Sequence, residues 1–315
     1  MSRWWVLGAR DPEMDAIENL LKGAAEPFFY AVHSDGTRVT PGTAYMADDI
    51  LPPNGGVTSD AVGRAVLVEC AVPSWTALNA AAVCDHHYPG QPGYEAGPED
   101  FLRGSSIGQV ISLLARDRAT LPFKRREWFD PGVGFTPGAL EQNEIGVWGV
   151  SGVADVDSSE MCAAYWAIIP MDLVFTAALD HCPAAAYAGK CPGLAPQALR
   201  EWWIDRRAYE QGLSRTAIRE RISIALNEIA GAPRICVGPD TVVDCRDVAY
   251  VPELPEAAAF AGIPILTAPQ AQGQRRLMLR HATPEAVEEF LRKPPEPLHQ
   301  MFGVPARGYA GGQRS

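Results

Sequence analysis

The chain has 315 residues, 47% of them hydrophobic and 21% charged, with a formal net charge of −11. That length accommodates two domains of ordinary size, and that composition belongs to a globular protein rather than a disordered or fibrous one. The acidic balance excludes a large nucleic-acid-binding surface, which needs clustered Lys and Arg, but not a local basic pocket for a small anion. Seven cysteines, at 70, 84, 162, 182, 191, 236 and 245, are scattered and contain no CxxC pair. They read neither as a disulfide frame nor as a zinc knuckle. The apolar run at Trp4–Gly8 is too short for a signal peptide, and no run approaches the 20 or so residues of a membrane span. A reducing, cytoplasmic setting with no membrane partner is therefore expected.

Trp4 to Gly8 reads as a short buried strand. Asp11 then suits an N-cap with Pro12 at the first helical position, and Met14, Ile17, Leu20 and Leu21 recur on one face through Lys22. Strand, tight turn and helix open a parallel α/β sheet. Pro27–Val32 is a second strand, and His33–Thr37 a turn with His33 in a structural role. Asp48–Gly56 reads as a Pro/Gly loop. Ala65–Cys70 is a third, strongly apolar strand ending on Glu69, a carboxylate costly to bury unless something positive meets it. A short helix over Ser74–Ala80 precedes a fourth strand, Ala81–Cys84.

That fourth strand delivers Asp85-His86-His87 into Pro89-Gly90-Gln91-Pro92-Gly93, which can only be a loop. An acid and two imidazoles thus sit where a strand opens at its carboxyl end, the place where open α/β sheets bind ligands. Asp and His together suit a divalent ion such as Mn²⁺, Mg²⁺ or Zn²⁺.

Further on, Pro98–Leu102 and Ser105–Leu114 are helical, with Ser105 or Ser106 as cap. Lys124-Arg125-Arg126 is a small basic run, and 130–156, rich in Gly and aromatics, reads as a hairpin or lid. Ala163–Ala188 is an apolar helical run broken at Pro170 and Pro183, carrying Asp172 and the pair Asp180-His181. Pro196–Ala230 is a charged amphipathic helical region. Strands follow around Gly238-Pro239-Asp240, a helix at Leu254–Ala261, strands at Ile265–Thr267 and Arg275–Arg280, and a last helix from Thr283 to Arg292. In the tail, Arg307 with Gly308, Gly311 and Gly312 could place backbone N–H groups and a counter-charge around an anion. The expected fold class is α/β: a parallel-sheet domain over 1–194, a helical connector over 195–232 and a smaller α/β domain over 233–315.

Glu13 with Asp15, Glu69, Asp85 with His86, and Asp180 all fall at strand ends or in helices. If consecutive parallel strands are neighbours, such ends converge, and converging carboxylates repel unless a cation holds them. Here the sequence resembles the DHH phosphoesterase superfamily. Asp85-His86-His87 matches the motif that names it. Val6 to Ile17 is similar to its first motif, in which a strand leads to His and then Asn-Pro-Asp-x-Asp. Val66-Leu67-Val68-Glu69 resembles the second, and Ala178-Leu179-Asp180 the fourth. The C-terminal part resembles the substrate-binding domain that commonly follows.

The resemblance implies a hydrolase of phosphodiester or phosphoanhydride bonds using one or two Mn²⁺ or Mg²⁺ ions. Asp15, Glu69, His86 and Asp180 would hold one ion, and Glu13 with Glu69 would serve another. Asp85, His86 and His87 would form the catalytic group, with His87 on the substrate phosphate. Arg307, Gly308 and Gly311 would bind a small phosphorylated substrate, a nucleotide or short oligonucleotide, in an interdomain cleft. The departures are specific. The family's first-motif His falls at Ala9, which coordinates nothing. Glu13 and Glu69 replace Asp, moving their oxygens by roughly 1 Å, enough to disturb a preorganised site. The tail lacks the His usual among its glycines. These departures keep a catalytically degenerate nucleotide- or protein-binding module as the alternative, and a different metal-assisted reaction on the same scaffold as a third reading.

Overall fold

The structure is a computed structural model and describes residues 4–52, 65–73, 82–117, 169–248, 251–271 and 274–314. The helix expected at 74–80, the basic run 124–126, the stretch 130–156 and the start of the apolar run at 163 lie outside these residues. The chain divides into two compact units: residues 1–94 with 102–177, and 95–101 with 178–315.

The first unit is built on a five-stranded sheet. Strands β1 (Trp4–Leu7), β2 (Phe28–Val32), β3 (Asp49–Leu51), β4 (Ala65–Val68) and β5 (Ala82–Cys84) lie in the order β3-β2-β1-β4-β5. β1 runs parallel to β2 and β4, and β4 parallel to β5. All four residues of β4 are buried, as expected of a strand flanked on both sides in a parallel sheet. Between β1 and β2 runs helix α1 (Pro12–Gly23), capped by the Asp11 carboxylate, which accepts from the Met14 N–H at 2.7 Å. Its apolar face, Met14, Ile17, Leu20 and Leu21, is buried. On the sheet, Val6, Phe29, Ala31 and Leu67 join Val39, Ala44 and Ile50 in one core. Asp49–Leu51 corrects the expected loop: it pairs antiparallel with β2 as an edge strand, with Ile50 buried between exposed neighbours. A period of two in three residues was too short to register beside the prolines.

The chain leaves β1 toward β2 on one side, while β4 lies on the other. The sheet therefore has a topological switch point between β1 and β4, the position at which open α/β sheets characteristically bind ligands. Gly8 closes this end tightly. Its N–H donates to the Val68 carbonyl at 2.9 Å, and a Cβ at this position would lie 2.3 Å from the Glu69 carbonyl oxygen. Helix α2 (Ser106–Asp117) packs against α1.

Helix α3 (Met171–His181) carries the division between the units within its length. In the second unit, the amphipathic region forms two helices, α4 (Pro196–Gln211) and α5 (Arg215–Gly231). They are separated at Gly212, which takes φ +63°, and α5 restarts on the Ser214 cap. A sheet in the order β11-β12-β10-β8-β7-β6 comprises β6 (Arg234–Val237), β7 (Asp240–Asp244), β8 (Ile265–Thr267), β10 (Gln274–Arg280), β11 (Leu298–Val304) and β12 (Tyr309–Arg314), with β9 (Gln270–Ala271) paired to β10. Alternation along the strands splits the core in two. Val243 and Ile265 pack with α4, α5 and helix α6 (Leu254–Ala261). Val242, Leu266, Leu277 and Leu279 pack with helix α7 (Pro284–Arg292) through Val287 and Phe290.

Candidate metal centre

Three side chains meet at the switch point. Glu13, in the first turn of α1, is 1% exposed, and its Oε1 accepts from the Ile107 N–H at 2.9 Å. Glu69 follows β4 with φ +48°, a left-handed conformation that swings it out of the strand's alternation. Its Oε1 accepts from Ser106 Oγ at 2.7 Å. His86, fully buried after β5, brings Nε2 to 3.6 Å from the same Oε1, beyond hydrogen-bond length.

The turn that carries His86 is organised by Asp85, also fully buried. Asp85 Oδ1 accepts from the His86 N–H (2.7 Å), the His87 N–H (3.1 Å) and His87 Nδ1 (2.9 Å). The Tyr45 hydroxyl adds 3.1 and 3.0 Å bonds to the two oxygens. Burial, and then the Asp85 charge, push the Tyr45 pKa far up, so the phenol stays protonated and donates. The Gln109 side chain clamps the backbone of Asp85 from both sides, accepting from its N–H at 3.0 Å and donating to its carbonyl at 3.1 Å. Gln91 Oε1 accepts from the N–H groups of His87 and Tyr88, each at 2.6 Å. Nδ1 of His87 faces the Asp85 carboxylate at 2.9 Å, so a proton on Nδ1 serves that contact. Asp85 thus orients the two imidazoles.

Ligand-capable atoms of Glu69, His86 and His87 lie within 4.8 Å of one another, and so do those of Glu13, Glu69 and His86. Ligands at roughly 2.1 Å from one ion are separated by at most about 4.2 Å, so a small inward adjustment seats a cation. The donors are mixed oxygen and imidazole nitrogen, and each carboxylate already has an outer hydrogen bond that fixes its direction, as supports around metal ligands do. The residues present fit a divalent ion. Cys70, close by, is held as a thiol: burial pushes its pKa up to about 12.

The remaining expected site residues have contacts of their own. Asp15 is partly exposed and accepts from Arg10 Nε at 3.0 Å; it is not among the grouped ligands. Ala9 is buried apolar surface. Asp180 sits on the last turn of α3 in the second unit. There Arg307 donates through Nε to the His181 carbonyl at 2.6 Å and through a terminal nitrogen to the Asp180 carbonyl at 2.8 Å. Its guanidinium is also 3.8 Å from the Asp180 carboxylate, with only 5% of the side chain exposed. Arg307 therefore satisfies the carbonyl end of α3, where the helix dipole favours a cation. Gly311 lies in β12 between β10 and β11, opposite Met278 and Phe302. A Cβ there would come within 2.5 Å of Met278 Sδ, and Gly308 takes φ +71° to close the hairpin. These glycines have packing and turn roles of their own.

Tyr45, Gln91, Ser106, Ile107 and Gln109 were not legible as site residues. Only Ser106 carried a signal, as a possible helix cap. Ser105 takes that role, accepting from the Gly108 N–H at 3.1 Å, and frees Ser106 to bind Glu69.

Fold and cluster together define an α/β protein with a buried carboxylate–imidazole group at the switch point of a mostly parallel sheet. Among the described residues no helix is long and apolar enough to cross a membrane. No family model and no curated protein matches the chain. Among solved structures it is similar to a pGpG-specific phosphodiesterase, PggH, from Vibrio cholerae, at 13% identity over 100% of this chain and 93% of that one. The TM-score is 0.34, a likeness too slight to bear on fold or activity.

Proposed function

We propose that the chain is a divalent-metal-dependent phosphoesterase acting on a small nucleotide or short oligonucleotide. The observation that carries this reading is the convergence of Glu13, Glu69 and His86 at the strand ends, beside the Asp85-His86-His87 turn. Glu13, Glu69 and His86 hold the ion, Mn²⁺ or Mg²⁺, and the family resemblance adds Asp180 to the set. When bound, such an ion supplies charge stabilisation for phosphoryl oxygens and a nucleophile at neutral pH. His87 turns its ring toward the substrate phosphate, and Asp85, braced by Tyr45, fixes that ring's orientation. Ser106 and the Ile107 N–H aim the two glutamates. Asp15 stays with Arg10, and Arg307 supports the α3 end. The acidic net charge favours a small substrate over long nucleic acid.

The test is a panel of dinucleotides, cyclic nucleotides and nucleoside polyphosphates with Mn²⁺ or Mg²⁺, scored for phosphate or nucleoside monophosphate. Metal-dependent release is expected from at least one member, falling at least a hundredfold in Glu69→Gln and His87→Ala. A panel with no release and no metal binding overturns the reading.

A second reading has its own observation. Both glutamates accept from the first residues of α2, so the helix end alone could neutralise them. The chain would then be a non-catalytic binding module, marked by nucleotide binding without turnover.

A further inference from the structure

The scattered cysteines hide a pair. Cys182, directly after α3, and Cys191, in the turn before α4, bring their sulfurs to 3.3 Å. Each residue is 2% exposed. They are the N-cap of the short helix Pro183–Tyr187 and the centre of a turn whose flanks are open: Ala188, Gly189 and Lys190 on one side and Pro192 and Gly193 on the other are exposed. Gly189 and Gly193 take φ +73° and +74°, so the turn is bracketed by two residues with free backbone rotation. A disulfide needs its sulfurs at about 2.05 Å. The turn has to move the Cys191 sulfur inward by little more than 1 Å.

We propose that Cys182 and Cys191 are a reversible dithiol–disulfide site, oxidised by exchange with a low-molecular-weight disulfide such as glutathione disulfide. The Cys191 thiolate, exposed when its turn opens, attacks one glutathione sulfur. That step forms a mixed disulfide, breaks the glutathione S–S bond and releases one glutathione thiolate. The Cys182 sulfur then loses its proton to solvent and attacks the Cys191 sulfur, expelling the second glutathione. Two protein thiols are oxidised and one glutathione disulfide is reduced to two thiols. The order follows from access. Cys182 is enclosed at the start of a helix while Cys191 sits in a turn with exposed flanks, so Cys191 meets the small disulfide first and Cys182 is the second attacker. The clip closes two residues beyond Asp180, on the segment whose carbonyls bind Arg307. It does not rest on the phosphoesterase reading.

The full chain, equilibrated natively in glutathione buffers of rising oxidised fraction, is acid-trapped, alkylated and peptide-mapped. A Cys182–Cys191 crosslink is expected, with a mass loss of 2 Da reversed by dithiothreitol, while exposed Cys236 is only glutathionylated. Oxidation is expected to raise the thermal midpoint. Cys191→Ser removes both effects; should that variant fail to fold, the wild-type map decides alone. If Cys236 is fully modified while Cys182 and Cys191 remain thiols, or if Cys191 stops as a mixed disulfide, the proposal is overturned.

Discussion

Glu69→Gln separates a cation site from a helix cap. The substitution removes one negative charge but keeps an oxygen in place to accept from Ser106 Oγ, whose bond is 2.7 Å in the wild type. Glu13, also buried, loses a like-charged neighbour. In chelator, the variant should therefore be as stable as the wild type or slightly more so. In Mn²⁺ at a hundred times its dissociation constant, the wild type gains about 2.7 kcal/mol by mass action. For a unit of this size that is a rise of about 5–10 °C in thermal midpoint. The variant should lose that rise, since a neutral amide replaces a charged ligand. Differential scanning fluorimetry with Mn²⁺ against EDTA reads both numbers. The reasoning is refuted if Mn²⁺ moves neither protein while the variant in EDTA falls by more than about 1 kcal/mol. That pattern would mean that the carboxylates serve the helix end alone.

Two further outcomes follow from groups outside the cluster. Tyr45→Phe deletes the hydroxyl that donates to the buried Asp85 carboxylate; a bond to a charged group is worth about 1.5–3 kcal/mol, and urea denaturation at neutral pH should show that loss. His281 has a pKa held down to about 4 from 6.5, chiefly by burial, and its Nε2 donates to the Pro255 carbonyl. The folded chain thus resists a proton that the unfolded chain accepts. Its contribution is fully present above pH 6.5 and is lost as pH falls toward about 4, at most about 3 kcal/mol at about 1.4 kcal/mol per pH unit. Urea midpoints at pH 7, 5.5 and 4.5 should decline accordingly and flatten in His281→Gln; parallel declines in both proteins would exclude His281 as the cause.

Local pattern carried most of the fold. α1, α6 and α7 were readable because each combines a cap or proline signal with a clean apolar period, and β1 because it is one uninterrupted apolar run. The edge strand at Asp49–Leu51 was not, because its pairing with β2 is a long-range fact. The Asp85-His86-His87 turn stood out as a motif, yet the role of Asp85 did not. A carboxylate that orients and one that coordinates look alike in a sequence, and only the bonds to Tyr45 and two backbone N–H groups separate them. The same limit applies to Arg307, whose engagement with two helix carbonyls is a tertiary contact across more than a hundred residues. The Cys182–Cys191 approach was invisible because an ordinary eight-residue spacer says nothing of a helix and a turn folding its ends together.

Glu69 stands where the backbone would be easier for glycine. Its φ of +48° is a conformation that side chains with a Cβ rarely adopt, at a cost of order 1–3 kcal/mol. The neighbouring strand end has the opposite solution: Gly8 gives up a side chain so that the two ends can touch. The fold therefore tolerates local discomfort at one residue and spends its conformational freedom at the next. Glu69→Gly would relax the backbone but delete the bond to buried Ser106, so little net change in metal-free stability with loss of any Mn²⁺-dependent stabilisation is the signature such a strained carboxylate should leave.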